Sequence, residues 1–483
     1  MTVRTRFAPS PTGYMHIGNL RTALYTFLIA KSSGGKFILR IEDTDRERYV
    51  PGAVDVIYKT LRENNLLWDE GPDIGGDYGP YVQSQRKDIY LKYAMELINR
   101  GEAYYCFCDK ERLDAVRATC TVNKLPPKYD GLCRSLSSSE ISEKLESGVP
   151  YVIRQRMPLK GETSFDDVVF GRVTVENSTL DDNVLIKSDG MPTYNFANVI
   201  DDHLMSITHV VRGSEYLSST PKYNLLYKAF GWDVPVYIHV SPVMKDHVRK
   251  LSKRDGDASY EDFIAKGYLP EALINYIALL GWNPGTQQEK FTLRELAEVF
   301  KTDGISKSPA IFDENKLLWL NGEYIREMSD DDFFEKSKDY ISSCVTNPAL
   351  NLREISDLIK SRTERFGDIP AQIDFFEKLP NYPATLFRHK KMKTTEESAK
   401  SVLEEVCSTF EAAESFSLDD IKRMFSSLVE RLGIKNGQLM YPVRVALSGK
   451  EFTPGGAAEI AAILGKDESL KRLRAGISLL SEI

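Results

Sequence analysis

The alternation of polar and apolar positions changes period twice within the first forty residues. Val3, Thr5 and Phe7 alternate with Arg4, Arg6 and Ala8, the two-residue repeat of a strand. Pro9-Ser10-Pro11-Thr12-Gly13 ends it, because proline cannot donate to a ladder and glycine favours turns. From Leu20 the spacing becomes helical through Leu24, Phe27 and Leu28, and Gly34-Gly35 closes the helix. Phe37-Ile38-Leu39-Arg40-Ile41 then reads as a strand buried on both faces of a parallel sheet. A strand–helix–strand unit of this kind winds right-handed, and open parallel sheets bind ligands at the carboxyl ends of their strands. Arg6, Ala8 and Ser10 fall at the end of the first strand and Glu42 at the end of the second.

Further along, Ile207-Thr208-His209-Val210-Val211 is strand-like and delivers Arg212 to another carboxyl end. Tyr194 and Asn198 stand four apart, on one face of a short helix beginning after Pro192. A loop and strand follow from Gly231-Trp232 to His239-Val240, then a helix over 269–280 with Pro270 in its first turn and Gly281 after its end. Past Tyr324 the pattern is helical throughout, the final helix burying Leu470, Leu473, Ile477 and Leu480. The expected architecture is therefore an α/β Rossmann-like region with a parallel sheet, followed by an all-α C-terminal region.

Composition changes the picture little. The 483 residues exceed one compact core and suggest about three domains. Hydrophobic content of 42% and charged content of 28% fit an ordinary soluble protein. The N-terminus lacks the pattern of a signal peptide, and no window offers the ~20 apolar residues of a membrane span. Six cysteines, four of them close together, favour a reducing cytoplasm over a disulfide framework. The net charge of −7 is unusual for a nucleic-acid binder, although totals do not report distribution. Arg388-His389-Lys390-Lys391-Met392-Lys393 and Lys471-Arg472-Leu473-Arg474 are candidate basic patches.

The turn after the first strand carries the chemistry. His16-Ile17-Gly18-Asn19 lies just ahead of a helix, where amide groups and the helix dipole attract phosphate and a glycine permits close approach. The turn has neither a Walker-type glycine–lysine loop nor GxGxxG, which disfavours P-loop ATPases and dinucleotide enzymes.

The segment from Phe7 to Asn19, FAPSPTGYMHIGN, closely resembles the HIGH signature region of glutamyl-tRNA synthetases, with Asn19 in place of the final histidine. Ile41-Glu42-Asp43-Thr44-Asp45 is similar to a second hallmark of that family, and Lys250-Leu251-Ser252-Lys253-Arg254 to its version of the KMSKS loop. Pro192-Thr193-Tyr194-Asn195-Phe196-Ala197-Asn198 and Val211-Arg212-Gly213 complete an ordered set covering nearly the whole chain.

The resemblance implies a class I ligase that activates L-glutamate with ATP and magnesium and esterifies the 3′-terminal ribose of tRNA-Glu. It assigns catalysis to His16, Gly18, Lys250 and Lys253. ATP would lie against Pro9, Ser10, His16, Gly18, Asn19, Lys253 and Glu215, with Tyr216 a weaker candidate. Glutamate would lie against Arg6, Ala8, Ser10, Glu42, Tyr194, Asn198 and Arg212. Arg6 and Arg212 suit the substrate carboxylates because a guanidinium binds them bidentately and stays charged, and Glu42 suits the α-ammonium.

Relatives with this pattern often hold zinc through a Cys-x-Cys pair and a later Cys-x-His. Here Cys106, Cys108 and Cys133 are present, but Ser135 stands at the histidine position. Tyr129 or Cys120 could complete the set, and the sequence leaves bound zinc and three packed thiols equally open.

By the same resemblance, 1–104 and 191–249 form the two halves of the catalytic fold, 105–190 an inserted acceptor-binding domain, 250–325 the KMSKS loop and stem-contact helices, and 326–483 a helical anticodon-binding domain. A cytoplasmic monomer is expected. A non-discriminating enzyme that also charges tRNA-Gln, an inactive tRNA-binding paralogue and a generic nucleotidylyltransferase are the competing readings. The last has no need of a long helical region.

Overall fold

The computed structural model describes residues 2–45, 48–251 and 258–482. Two compact units emerge: 1–263 with 273–313, and 264–272 with 314–483.

The first unit is built on a six-stranded sheet. Its N-terminal strands are β1 (Arg4–Phe7) and β2 (Lys36–Leu39), joined by helix α1 (Ile17–Ser32). A separate antiparallel sheet has the order β3 (Ala103–Cys106), β4 (Val152–Gln155), β7 (Val184–Ile186). The hairpin β5 (Glu162–Asp167) and β6 (Gly171–Glu176) returns to the main sheet, which β8 (His209–Gly213) and β9 (Val236–Val240) complete. The main order is β2-β1-β8-β9-β5-β6, all neighbours parallel except the β5–β6 hairpin. The main sheet thus takes its last two strands from 162–176, within the stretch that the sequence reading assigned to the insertion.

β2 buries the apolar Phe37, Ile38 and Leu39, as a strand covered on both faces does, whereas β1 and β8 bury polar residues beside apolar ones: Thr5 and Arg6 with Phe7, and Arg212 with Val210 and Val211. α1 is buried over almost its whole circumference from Leu20 to Ala30, with the exceptions of Thr22 and its first polar turn. Such a helix needs no amphipathic stripe, because sheet and neighbouring helices cover it on all sides. It begins at Ile17, one turn before the apolar spacing announces it, because the His16 side chain caps it.

The second unit is helical. Past Ile311 no strand occurs among the described residues. Helices from Glu314–Glu327 to Ala457–Ser481 surround one apolar core that includes Phe333, Ile373, Leu403, Phe425 and Leu473. The last helix is broken at Gly465, whose φ of 75° belongs to the left-handed region that favours glycine. Ile477, expected inside, is only partly buried.

Candidate active site

The carboxyl ends of β1 and β8, with the segments that follow β2 and β9, surround a cavity of about 380 Å³. Its lining includes Arg6, Ala8, Pro9, Ser10, His16, Gly18, Asn19, Glu42, Tyr194, Arg212, Glu215 and Lys250. Residues separated by more than two hundred positions are thereby brought together. Lys253 lies outside the described residues.

Asn198 does not line the cavity. It does follow Tyr194 by one turn of helix Tyr194–Leu204, but it is fully buried and its Nδ2 donates to the Tyr194 carbonyl at 2.8 Å. Helical side chains lean toward the N-terminus, so an asparagine one turn on reaches its own helix backbone through Nδ2, while its Oδ1 stays buried without a donor among the described residues.

Arg6 and Arg212 differ in how they are held. Arg6 donates from Nε to Asp202 Oδ1 at 2.9 Å and from Nη1 to the Val211 carbonyl at 3.3 Å. Arg212 packs against the rings of Tyr223, Tyr216 and Tyr237, its Cζ 4.9, 5.5 and 5.9 Å from their centroids. Its Nε and Nη1 are buried with no hydrogen-bond acceptor. Glu42 accepts from Arg40 through Oε1. Burial pushes the Glu42 carboxyl above its usual range, against the pull of Arg40 and Arg6. Burial also opposes ionisation of Asp202, but Arg6 and Arg40 outweigh it and hold that carboxyl below the usual range.

At α1 the His16 Nδ1 accepts the Gly18 amide at 3.0 Å, so the ring proton sits on Nε2, which donates to the Leu251 carbonyl at 3.1 Å. The signature histidine is thus tied to the segment entering the lysine loop. A Cβ at Gly18 would sit 3.3 Å from His16 Nδ1, and one at Gly213 would meet the Glu215 carboxylate at 2.2 Å. Glycine at 213 therefore lets Glu215 fold back over the strand end.

Sequence reasoning missed Arg21, Thr22, Arg48 and Ser241, which also line the cavity. Arg21 is buried and donates to the carbonyls of Leu280 (2.9 Å) and Ser241. Its position three after Gly18 put it on the same helix face, the one signal that could have found it.

The thiols of Cys106, Cys108 and Cys133 lie within 4.8 Å of one another, with Cys108 and Cys133 Sγ 3.6 Å apart. The Tyr129 hydroxyl is 3.5 Å from Cys106 Sγ and 3.4 Å from Cys108 Sγ, and it accepts the Cys133 amide at 2.9 Å. Hydrogen bonding from Cys133, with Tyr129 and Arg154, holds the Cys106 thiol well below its usual range. Cys120 bonds elsewhere, to the Lys128 carbonyl, and Ser135 is exposed.

A parallel sheet with a capped helix after its first strand, a cationic cavity at the strand ends and a helical C-terminal unit define a class I aminoacyl-tRNA synthetase. Residues 2–319 match the family described as tRNA synthetases class I (E and Q), catalytic domain, and 332–477 match an anticodon binding domain. The chain is 58% identical over 480 residues to a glutamate–tRNA ligase of Clostridium acetobutylicum, covering 99% of each. It is 59% identical over 481 residues to one of Clostridium botulinum, covering 100% of this chain and 99% of that one. Among solved structures it resembles a glutamate tRNA ligase of Elizabethkingia meningosepticum in complex with its amino acid, at TM-score 0.89 and 36% identity over 99% of both chains. A glutamate-tRNA synthetase of Elizabethkingia anophelis matches at the same score and identity, covering 99% of this chain and all of that one. The chain belongs to the glutamate–tRNA ligases.

Proposed function

We propose that the protein activates L-glutamate with ATP and transfers the glutamyl group to the 3′-terminal ribose of tRNA-Glu. The observation that carries the site assignment is Arg212, a buried guanidinium bordering the cavity with two nitrogens lacking acceptors. A native fold rarely leaves such donors unmatched, and a carboxylate is the ligand that satisfies them. Arg6 stands with it as the second carboxylate receptor, and Glu42 and Tyr194 face the α-ammonium end.

In the first step a glutamate α-carboxylate oxygen attacks the α-phosphorus of ATP, and the bond to the bridging oxygen breaks to release pyrophosphate. Positioning and stabilisation of negative charge dominate such a step. The amides at the start of α1, with Gly18 giving access, face the phosphates, and His16 turns its Nε2–H from the Leu251 carbonyl to a phosphoryl oxygen. Lys250 and Lys253 reach the pyrophosphate. Magnesium arriving on the ATP phosphates supplies further neutralisation. In the second step the terminal ribose hydroxyl attacks the acyl carbon of glutamyl-adenylate and AMP leaves. We assign the acceptor end to 105–190, the stem to 250–325 and the anticodon to 326–483, in a monomer working in the cytoplasm.

Charging of purified tRNA-Glu and tRNA-Gln with labelled glutamate tests this reading. Charging of tRNA-Glu alone is expected. Charging of both would make the enzyme non-discriminating, and charging of neither by folded protein would overturn the reading.

We also propose that Cys106, Cys108, Cys133 and Tyr129 hold a structural zinc ion. Tetrahedral zinc with sulfur at ~2.3 Å places its sulfurs about 3.8 Å apart, close to the Cys108–Cys133 spacing, and the Tyr129 oxygen completes four donors. Metal analysis of protein purified without chelator should give about one zinc per chain. A ratio near zero would leave three packed thiols.

A further inference from the structure

Beneath the cavity lies a layer of buried charge. Arg40, fully buried, donates from Nε and Nη2 to Glu42 Oε1 at 3.3 and 2.9 Å, and from Nη1 to Asp202 Oδ1 at 2.8 Å. That same Asp202 oxygen receives Arg6 Nε. One guanidinium therefore spans both groups assigned to the amino acid: Glu42 directly, and Arg6 through Asp202. Its neighbour Asp201, 3.8 Å from Arg40 Nε, is already engaged by Arg86, Gln83 and Tyr90 at 2.7, 2.9 and 2.8 Å. The fork is what allows this, since an ammonium is a point charge and cannot hold two carboxylates in fixed directions.

The layer is also unbalanced. Four guanidinium groups (Arg6, Arg40, Arg86, Arg212) face three carboxylates (Glu42, Asp201, Asp202), leaving one positive charge in excess among groups at most 5% exposed. The other charged residues around the cavity, Arg21, Arg48, Glu215 and Lys250, share no hydrogen bond with this layer among the described residues. A buried charge without a partner is strongly unfavourable. Glutamate brings a net charge of about −1 near neutral pH and closes the balance, whereas glutamine brings none.

We infer that Arg40 is a positioning residue that orients Glu42 and Arg6 and supplies the cationic excess by which the site prefers glutamate to glutamine. This rests on the reading that Arg6, Arg212 and Glu42 receive the amino acid. The brace never touches substrate, and it acts through the two side chains that do.

The test uses the full chain with its tRNA in ATP–pyrophosphate exchange, measuring KM for glutamate, KM for ATP and the Ki of glutamine as competitor. In Arg40→Met the glutamate KM should rise at least about tenfold, with the ATP KM within about twofold and the glutamine Ki within about threefold. Arg40→Lys keeps the charge and loses the fork, so its glutamate KM should rise about threefold or more while the preference over glutamine persists. Parallel weakening of glutamate and glutamine in the Met variant would overturn the inference. Should that variant not fold, an unchanged glutamate KM in the Lys variant overturns it alone. Failure of the underlying pocket reading gives a different result, a normal glutamate KM in Arg212→Gln.

Discussion

Both units of the molecule bury guanidinium groups, and two of these, Arg472 and Arg212, are held in opposite ways. In the helical unit Arg472, 2% exposed, donates from Nη1 to the carbonyls of Phe375 and Leu447 at 2.7 and 2.8 Å. Its Nη2 reaches the Phe376 carbonyl at 3.3 Å and its Nε the Glu468 carboxylate at 2.8 Å. Those carbonyls belong to the last turns of helices Ile369–Glu377 and Asn436–Ser448. Helix ends leave such oxygens without intrahelical donors, and a cation there also complements the dipole. Arg472 is thus complete within the fold. In the catalytic unit Arg212, 5% exposed, touches aromatic faces and keeps two nitrogens without acceptors. Burial is nearly the same for both, so burial does not separate a structural arginine from a binding one. Between these two, the unmatched donors do.

The sharpest way to break this contrast is to remove each arginine in turn. Arg212→Ala should lower kcat/KM for glutamate by about 10³-fold or more, since a site built around a charged partner discriminates strongly when that partner is lost. Its thermal midpoint should stay within a few degrees. Near-normal exchange with a collapsed midpoint would make Arg212 structural. Arg472→Ala should do the reverse, removing about 3 kcal/mol of stability by stranding buried carbonyls, while the glutamate KM stays within about twofold. Urea unfolding and pyrophosphate exchange on the same preparations give both readings. A large KM change in Arg472→Ala at full folding would dissolve the distinction.

The same pair marks where the sequence was legible. Arg212 could be found because alternation in Ile207–Val211 placed it at a strand's carboxyl end, where parallel sheets bind ligands. The main fold followed from periods of this kind, which are local. Arg472 was misread, because Lys471-Arg472-Leu473-Arg474 looks like a basic surface and only the packing shows that Arg472 turns inward beside Leu473. Asn198 shows the limit of spacing, which gives a helix face but not where a short amide finds its partners: its Nδ2 returns to the Tyr194 carbonyl while its Oδ1 is buried without one. The Arg40–Asp202 brace joins residues 162 positions apart, and nothing local in the chain marks it. The thiol cluster lay between: the cysteines and Tyr129 were plain in sequence, with Cys120 as an alternative, and the geometry sets the Tyr129 hydroxyl among the three thiols while Cys120 bonds elsewhere.

A smaller effect sharpens the comparison through pH. The catalytic unit holds three histidines, His203, His209 and His239, whose pKa values burial lowers. His239 is fully buried, with Nδ1 2.6 Å from Asp167 Oδ2 and Nε2 3.2 Å from Thr220 Oγ1, and there burial outweighs the Asp167 carboxylate. Unfolded histidine titrates near ~6.5. With the folded value below that, the unfolded chain binds more protons as pH falls through about 6.5, so stability is full above this pH and declines beneath it. The denaturant midpoint of the catalytic unit should therefore drop between about pH 7 and 5.5, before the carboxylates titrate, while that of the helical unit changes less. His239→Gln should flatten part of that slope, because glutamine bonds Asp167 without taking up a proton. An equal decline in both units, or an unaltered slope in the variant, would place the acid sensitivity elsewhere than in these buried rings.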